Sequence, residues 1–381
     1  MDGSGITERL LGLLGNWSHR VQWSPMQTIP LLQIGLGGVG RELVRQILAT
    51  EAPLARRYGF RLAHVALADT TGLLSAADGL DRAALEAILV AKEHGQSITT
   101  LPGSTTGSSW EAFPLEQRAI FVDVSAAPGH EVPLAARIAA GCRVVLANKR
   151  PLSTSMAAFT ALTAHGATRY EATVGAGLPV IATLQSLIDS GDTIIRIEAA
   201  MSGTLGYLCT ELEAGKPLSV ALRAAHALGY TEPDPRDDLS GADVARKALI
   251  LARTSGLNWE PEAVTAEAWF PPELASVHRD EFMARAEELD APLAARVAEA
   301  RAAGGALRYV ATLTPTGASV ALRVVPADHP LATLRGPDNL FSFTSARYAE
   351  RPLVVRGPGA GQPVTAAGVL ADIIATARER W

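Results

Sequence analysis

A short apolar run at residues 29–34, IPLLQI, passes directly into GLGGVG at 35–40, and RELVRQILATEAPLARR then repeats apolar residues at helical spacing (Leu43, Ile47, Leu48). A second buried run, RLAHVALAD, follows at 61–69. Strand, Gly-rich turn, helix and strand in that order predict a βαβ unit, whose parallel strands need a covering helix. Two further strand-like runs, AIFVDVSA (119–126) and CRVVLAN (142–148), flank a helical stretch. Alternation of this kind predicts an α/β fold, a Rossmann-type doubly wound parallel sheet.

After residue 150 the pattern changes. IIRIEAAMSG (194–203) and ALRYVATLTPTGASVALRVV (306–325) read as strands of another sheet, the latter a hairpin turning at Pro315–Gly317, with helical stretches between them. This predicts a second α+β domain for catalysis and dimerisation. The divisions are an N-terminal arm (1–28), a dinucleotide-binding domain (29–150), a substrate-binding and dimerisation domain (151–350), and a C-terminal segment (351–381) that returns to the first domain.

Within GLGGVG, Gly35 allows the tight turn, Gly37 lets a pyrophosphate approach the backbone and Gly40 permits close helix–sheet packing; Gly38 and Val39 open the helix whose free amides face the phosphates. Asp69, 29 residues past Gly40, ends the second strand, where a carboxylate binds ribose hydroxyls. The crossover is lengthened by residues 52–60. A carboxylate there repels a 2′-phosphate, so the reading leans to NAD over NADP, with Thr70 and Thr71 leaving NADP open.

Lysine is scarce: Lys92, Lys149, Lys216 and Lys247 stand against thirty arginines. Arginine cannot replace lysine where a titratable amine is required. Lys149 follows Asn148 at the carboxyl end of a strand, the edge that lines the ligand crevice. Lys247 closes GYTEPDPRDDLSGADVARK (229–247), which also holds Glu232, Asp234, Asp237, Asp238 and Asp243. A helix starting near Gly241, capped by Ser240 or Asp238, sets Asp243 and Lys247 four apart on one face. Such a cluster fits a polar substrate carrying an amine, with Glu232 and Asp238 on the ammonium and Asp243 tuning Lys247. Lys92 and Lys216 read as solvated surface residues. YEATVGAGLP (170–179) places Glu171 before a Gly-rich turn that would expose the carbonyls of Val174, Ala176 and Leu178; a carboxylate with several carbonyls suits a monovalent cation, and a turn with no ion fits the spacing nearly as well.

The net charge of −5 and the lack of a basic run argue against nucleic acid, and no apolar stretch reaches membrane-spanning length. Cys142 and Cys209 are too few for a disulfide framework or zinc site, and no signal peptide is visible, so the expected setting is cytoplasmic.

GLGGVG, ANKRPLS (147–153), YEATVGAGLPVI (170–181), SGTLGY (202–207), the 229–247 stretch and GPGAGQPVTAAGVLADI (357–373) together resemble the homoserine dehydrogenase family, over roughly residues 30–381. The resemblance implies reduction of L-aspartate 4-semialdehyde to L-homoserine by a reduced nicotinamide, on the route to threonine and methionine, in a homodimer. It implies Lys247 as proton donor, Lys149 in contact with cofactor and substrate, and Asp243 supporting Lys247. Glu232, Asp237, Asp238 and Thr204 would bind substrate, Ser125 and Gly361 would touch the cofactor, and Glu171, Val174, Ala176 and Leu178 would form the family's sodium site. DVSAAPG (123–129) is looser than the family's usual polar run, and Arg150 stands where a second lysine is frequent. No stretch resembles an aspartate kinase or a regulatory domain, so feedback by threonine is not expected. Two other readings are a dehydrogenase of another amino-acid semialdehyde and a catalytically silent nucleotide-binding regulator.

Overall fold

The computed structural model describes residues 26–107, 113 and 119–379, which leaves nearly all of the expected N-terminal arm outside the described residues. The first unit opens with β1 (Gln27–Ile34), buried from Leu31 onward, and α1 (Gly38–Tyr58), which buries Leu43, Val44, Ile47 and Leu54. Those four lie near the three-and-four spacing that puts side chains on one helical face. Gly59, at φ 76°, ends the helix in the left-handed conformation. The extra crossover residues are therefore helix, not loop. β2 (Phe60–Ala68), β3 (Gly72–Ser75), α2 (Arg82–Glu93), β4 (Ser104–Thr106), β5 (Ile120–Asp123), α3 (Glu131–Ala139), β6 (Arg143–Leu146), α4 (Met156–Thr163) and β7 (Thr168–Arg169) complete it.

The sheet runs β4-β3-β2-β1-β5-β6-β7. β2, β1, β5, β6 and β7 are parallel, whereas β3 and β4 add an antiparallel edge beyond β2. From β1 the chain goes to β2 on one side and β5 comes to lie on the other. This is the switch point at which such sheets open a crevice. The sheet continues through β7, past the boundary expected at residue 150.

The second unit contains α5 (Val180–Asp189), β8 (Ile194–Ala200), α6 (Gly203–Glu213), α7 (Leu218–Ala227), α8 (Pro235–Leu239) and α9 (Ala242–Thr254). It continues with β9 (Val264–Ala266), α10 (Arg279–Arg285), α11 (Asp290–Ala302), β10 (Gly305–Thr314), β11 (Gly317–Pro326) and β12 (Asp338–Ser345). β13 (Leu353–Pro358) and α12 (Gln362–Arg378) end the chain. The hairpin expected at 306–325 is β10–β11, antiparallel throughout. The sheet order is β13-β12-β8-β10-β11-β9, with one parallel pair, β11–β9. One face buries Ile197, Ala199, Leu307, Leu313, Phe341 and Phe343 against the helices.

The C-terminal segment divides between the two units. β13 pairs with β12 in the second sheet, while α12 buries Ala366, Val369, Leu370 and Ile373 with Leu31, Leu43 and Ile47 of the first. Burial of one such aliphatic side chain stabilises by about 1.5–3 kcal/mol, so α12 acts as an apolar strap. Among the described residues no helix is long and apolar enough to cross a membrane.

Candidate active site

At the end of β1 the chain turns through Gly35, at φ 106°, where a Cβ would meet the Ser125 amide nitrogen at 2.8 Å. A Cβ on Gly40 would lie 2.1 Å from the Gly35 carbonyl oxygen, so Gly40 is needed for packing and does not line the crevice. Gly37 is different: nothing stands within 4 Å of where its Cβ would be. It precedes α1 with no side-chain cap, which leaves first-turn amides free for an anion. Gln33 braces the turn from beneath, its Nε2 donating to Gly35 O (3.0 Å) and Gly40 O (3.2 Å), while its Oε1 is paired with His64 Nε2 at 3.0 Å.

A cavity of about 930 Å³ opens over this turn. Gly35, Gly37, Gly38, Val39, Asp69, Ser125, Lys149 and Gly361 all line it. Gly361 stands before α12, a second helix that starts without a side-chain cap. Ser125 lies after β5, its Oγ donating to Asp123 Oδ1 at 2.7 Å. Asn148 Nδ2 donates to the other Asp123 oxygen at 2.9 Å and to Ala127 O at 2.8 Å, tying the loops after β5 and β6 together. Sequence reasoning passed over Asn148 and Asp123 because neither carries an obvious chemical role alone.

Asp69 follows β2 as expected, and its surroundings change its meaning. Oδ1 accepts from Thr71 N (2.8 Å) and Thr71 Oγ1 (2.6 Å), and Oδ2 accepts from Lys92 Nζ at 2.6 Å. Burial works against the charge, but Lys92 and Thr71 hold the carboxyl below its usual range. The expectation that Lys92 is solvated is overturned: its side chain is 16% exposed and it lines the crevice. Its position on α2, 23 residues after Asp69, hid the pairing. Only the rarity of lysine hinted at it.

A second cavity of about 430 Å³ shares Ser125, Ala147 and Lys149 with the first. Its walls include Glu232, Asp237, Asp238, Asp243, Ser202 and Arg246. Asp234 is not among them: it caps α8 and pairs with Arg236 at 2.6 Å. Asp238 Oδ2 accepts the Glu232 amide at 2.8 Å instead of capping α9. Burial, with Glu232 and Asp243 nearby, raises the Asp238 carboxyl above its ordinary value. Ser240 Oγ accepts from Ala242 N at 3.2 Å, and Gly241, at φ 71°, takes the N-cap. A Cβ on Gly241 would fall 1.9 Å from Tyr309 Oη. Thr204 does not line either cavity: it is buried and its hydroxyl donates to Tyr230 O at 2.6 Å. α6 turns it inward to brace residue 230, within hydrogen-bond reach of the Asp238 side chain that lines the second cavity.

Where the cavities meet, Asp243 bridges the two lysines. Oδ1 is 3.2 Å from Lys149 Nζ and Oδ2 is 2.8 Å from Lys247 Nζ, which also donates to Met201 O at 2.8 Å. Burial disfavours the Asp243 charge, yet the two ammonium groups overcome this and hold it well below the usual carboxylate range. Lys149 moves down, chiefly from desolvation, with Lys247 adding to the effect and Asp243 opposing it. A carboxylate fixed between two ammoniums, at the junction of a nucleotide crevice and an acid-lined pocket, can deliver a proton to one defined point.

The turn at 171–178 lies beside the crevice, with Gly175 at φ 84° and Ala176 at φ 57°. The Glu171 carboxylate oxygens accept from the Ile181 amide (2.6 Å) and the Ala182 amide (2.9 Å), at the start of α5. The Glu171 amide donates to Asp372 Oδ2 of α12 at 2.8 Å.

The fold and the two joined cavities define a two-domain α/β protein whose first crevice is of the dinucleotide-binding type. Residues 179–374 match the family model described as homoserine dehydrogenase. The homoserine dehydrogenase of Emericella nidulans is 40% identical over 275 residues, covering 68% of this chain and 75% of that one. The chloroplastic bifunctional aspartokinase/homoserine dehydrogenase 2 of Zea mays is 50% identical over 208 residues, or 54% of this chain. A hyperthermophilic archaeal homoserine dehydrogenase in complex with NADPH superposes with a TM-score of 0.71 at 25% identity, covering 92% of this chain and 98% of that one. The chain belongs to the homoserine dehydrogenase family. It spans only 23% of the length of the maize enzyme.

Proposed function

We propose that the protein interconverts L-aspartate 4-semialdehyde and L-homoserine with a nicotinamide dinucleotide, serving threonine and methionine synthesis. The observation that carries this reading is the Lys149–Asp243–Lys247 bridge where the two cavities meet. A dinucleotide suits the crevice because Gly37 leaves an open cradle over uncapped amides. Gly35, Gly37, Gly38, Val39, Ser125 and Gly361 would hold it, with Gly40 supporting the turn. When bound, that group supplies the hydride and accepts it back.

The rest falls to the chain's own side chains. The Lys247 ammonium spends two of its three hydrogens on Asp243 and Met201 O, which aims the third at the substrate oxygen. Lys247 donates that proton to the developing alkoxide, and Lys149 stabilises the charge forming there. Asp243 gives each ammonium a counter-charge. Glu232, Asp237 and Asp238 hold the substrate ammonium in the acid-lined pocket, and Thr204 acts behind them. Family membership supports this reading over a silent regulator. The substrate's carbon count, and so the alternative of another semialdehyde, is for a substrate panel.

The case for NAD rested on a bare carboxylate at Asp69. With Lys92 paired to it, a 2′-phosphate would meet an ammonium as well as a carboxylate, and the crevice should accept either nucleotide. A sodium ion, if bound, would sit on the backbone oxygens of Glu171, Val174, Ala176 and Leu178. Pairing of two copies is part of the same proposal and rests on the family resemblance. A cytoplasmic setting belongs to the same reading. The deciding experiment is oxidation of L-homoserine by the purified protein, with NAD and NADP in parallel and with or without sodium. Turnover confirms the reading, and nucleotide binding without turnover refutes it.

A further inference from the structure

Arg253 lies ten residues beyond Asp243 at the far end of the same helix and faces neither cavity. Its side chain is fully buried. Nη1 donates to Leu152 O at 2.8 Å, Nη2 to Thr154 O at 2.7 Å and Nε to Trp259 O at 2.9 Å. The guanidinium also lies over the Phe159 ring, 5.7 Å from its centroid. Burial lowers its affinity for a proton, with only Glu260, at 3.5 Å, opposing. A compact ammonium cannot match the spacing of three separate carbonyls that a guanidinium fork reaches.

The two carbonyls it grips at 152 and 154 belong to the turn that begins at Lys149. That turn leaves β6 of the first unit, whereas Asp243 and Lys247 ride on α9 of the second. The contact between Lys149 and Asp243 joins groups from two separately built layers, and a shift of one against the other would open it. Resting on the reading above, we propose that Arg253 is a positioning residue that locks the Lys149 turn to α9 and so sets the distance between the two lysines. Two hydrogen bonds from a rigid fork reach the turn, at Leu152 O and Thr154 O, and a third, to Trp259 O, holds the fork itself in place. A buried cation with no carboxylate closer than 3.5 Å is costly to keep for stability alone, since an apolar side chain of similar size would fill the space.

The test uses Arg253→Met, which keeps volume and apolar contact, and Arg253→Lys, which keeps the buried charge but not the fork. Amide hydrogen exchange of the 149–155 peptide, read against the 35–44 peptide of the Gly-rich turn, reports the clamp whether or not the protein turns over homoserine. Both variants should exchange about tenfold faster at 149–155 with the 35–44 peptide unchanged. For an active enzyme, kcat should fall about 10- to 100-fold while nucleotide Kd stays put, as misplacement of about 1 Å costs that much. A variant that is folded, with exchange at 149–155 unchanged, overturns the proposal. So does exchange rising equally in both peptides, which would mark a general loss of stability. Failure of wild-type turnover would refute the functional reading and leave the exchange experiment to judge the clamp by itself. If Met at 253 prevents folding, the Lys variant decides.

Discussion

Replacing Asp243 by Asn removes one charge with almost no change in shape, and it should alter both rate and pH profile. The carboxylate lies 3.2 Å from Lys149 Nζ and 2.8 Å from Lys247 Nζ, on different oxygens. Each lysine loses an attraction worth about 1 kcal/mol at water's dielectric and about 4 kcal/mol at an effective dielectric of about 20. Asp243 is 42% exposed, so the lower half of that range applies. That loss lowers each amine's proton affinity by one to two powers of ten, at about 1.4 kcal/mol apiece. A lysine must be protonated to donate, so activity is lost as pH rises through its pKa. The alkaline limb of kcat/KM for aspartate 4-semialdehyde reduction, the direction in which the lysine donates, should therefore move down by about one to two pH units. The rate on the plateau should drop about 10- to 100-fold, the same free energy expressed in the transition state. Nicotinamide absorbance across the alkaline range, with a thermal melt to show that the variant is folded, is the assay. An unmoved alkaline limb with near-normal turnover would mean that Asp243 tunes neither lysine.

Lys247→Arg keeps the charge and loses the titratable amine; kcat should fall by about 10²- to 10⁴-fold with nucleotide Kd unchanged, and near-normal turnover would remove Lys247 as proton donor. Lys92→Met frees the Asp69 carboxylate from its partner at 2.6 Å, so KM for NADP should rise about tenfold or more while that for NAD changes little. Equal shifts for both nucleotides would show that Lys92 does not meet the 2′-phosphate. Asp372 is buried and its carboxyl is raised to about 7, from 3.8. Between those values the folded state binds more protons than the unfolded one, so stability falls as pH rises towards 7 and stays low above it. The total is bounded at roughly 4 kcal/mol. Asp372→Asn, which retains an oxygen for the Glu171 amide, should flatten this dependence in denaturant titrations at mildly acid and alkaline pH; an unchanged slope would assign it elsewhere.

Much of the site was legible because its parts are local. GLGGVG works through backbone geometry within six residues, and Asp243 and Lys247 meet because one helical turn separates them. Lys149 was found from its place at a strand end. The reading failed where a side chain's partner is remote: Lys92 reads as solvated, yet it pairs with Asp69, 23 residues earlier. The contacts of Thr204 with residue 230 and of the Glu171 carboxylate with amides ten residues on are likewise absent from any local pattern.

The sequence by itself determined the order of strands and helices, the Gly-rich turn and which few residues could move a proton, because periodicity, steric freedom and side-chain chemistry belong to the residues themselves. Only the tertiary structure decided that Lys92 neutralises Asp69, that Lys149 reaches Asp243 from another layer and that Arg253 fastens those layers together. Those outcomes depend on distances between segments far apart in the chain. Electrostatic partnership falls off over a few ångströms, and no local pattern encodes separations of that kind.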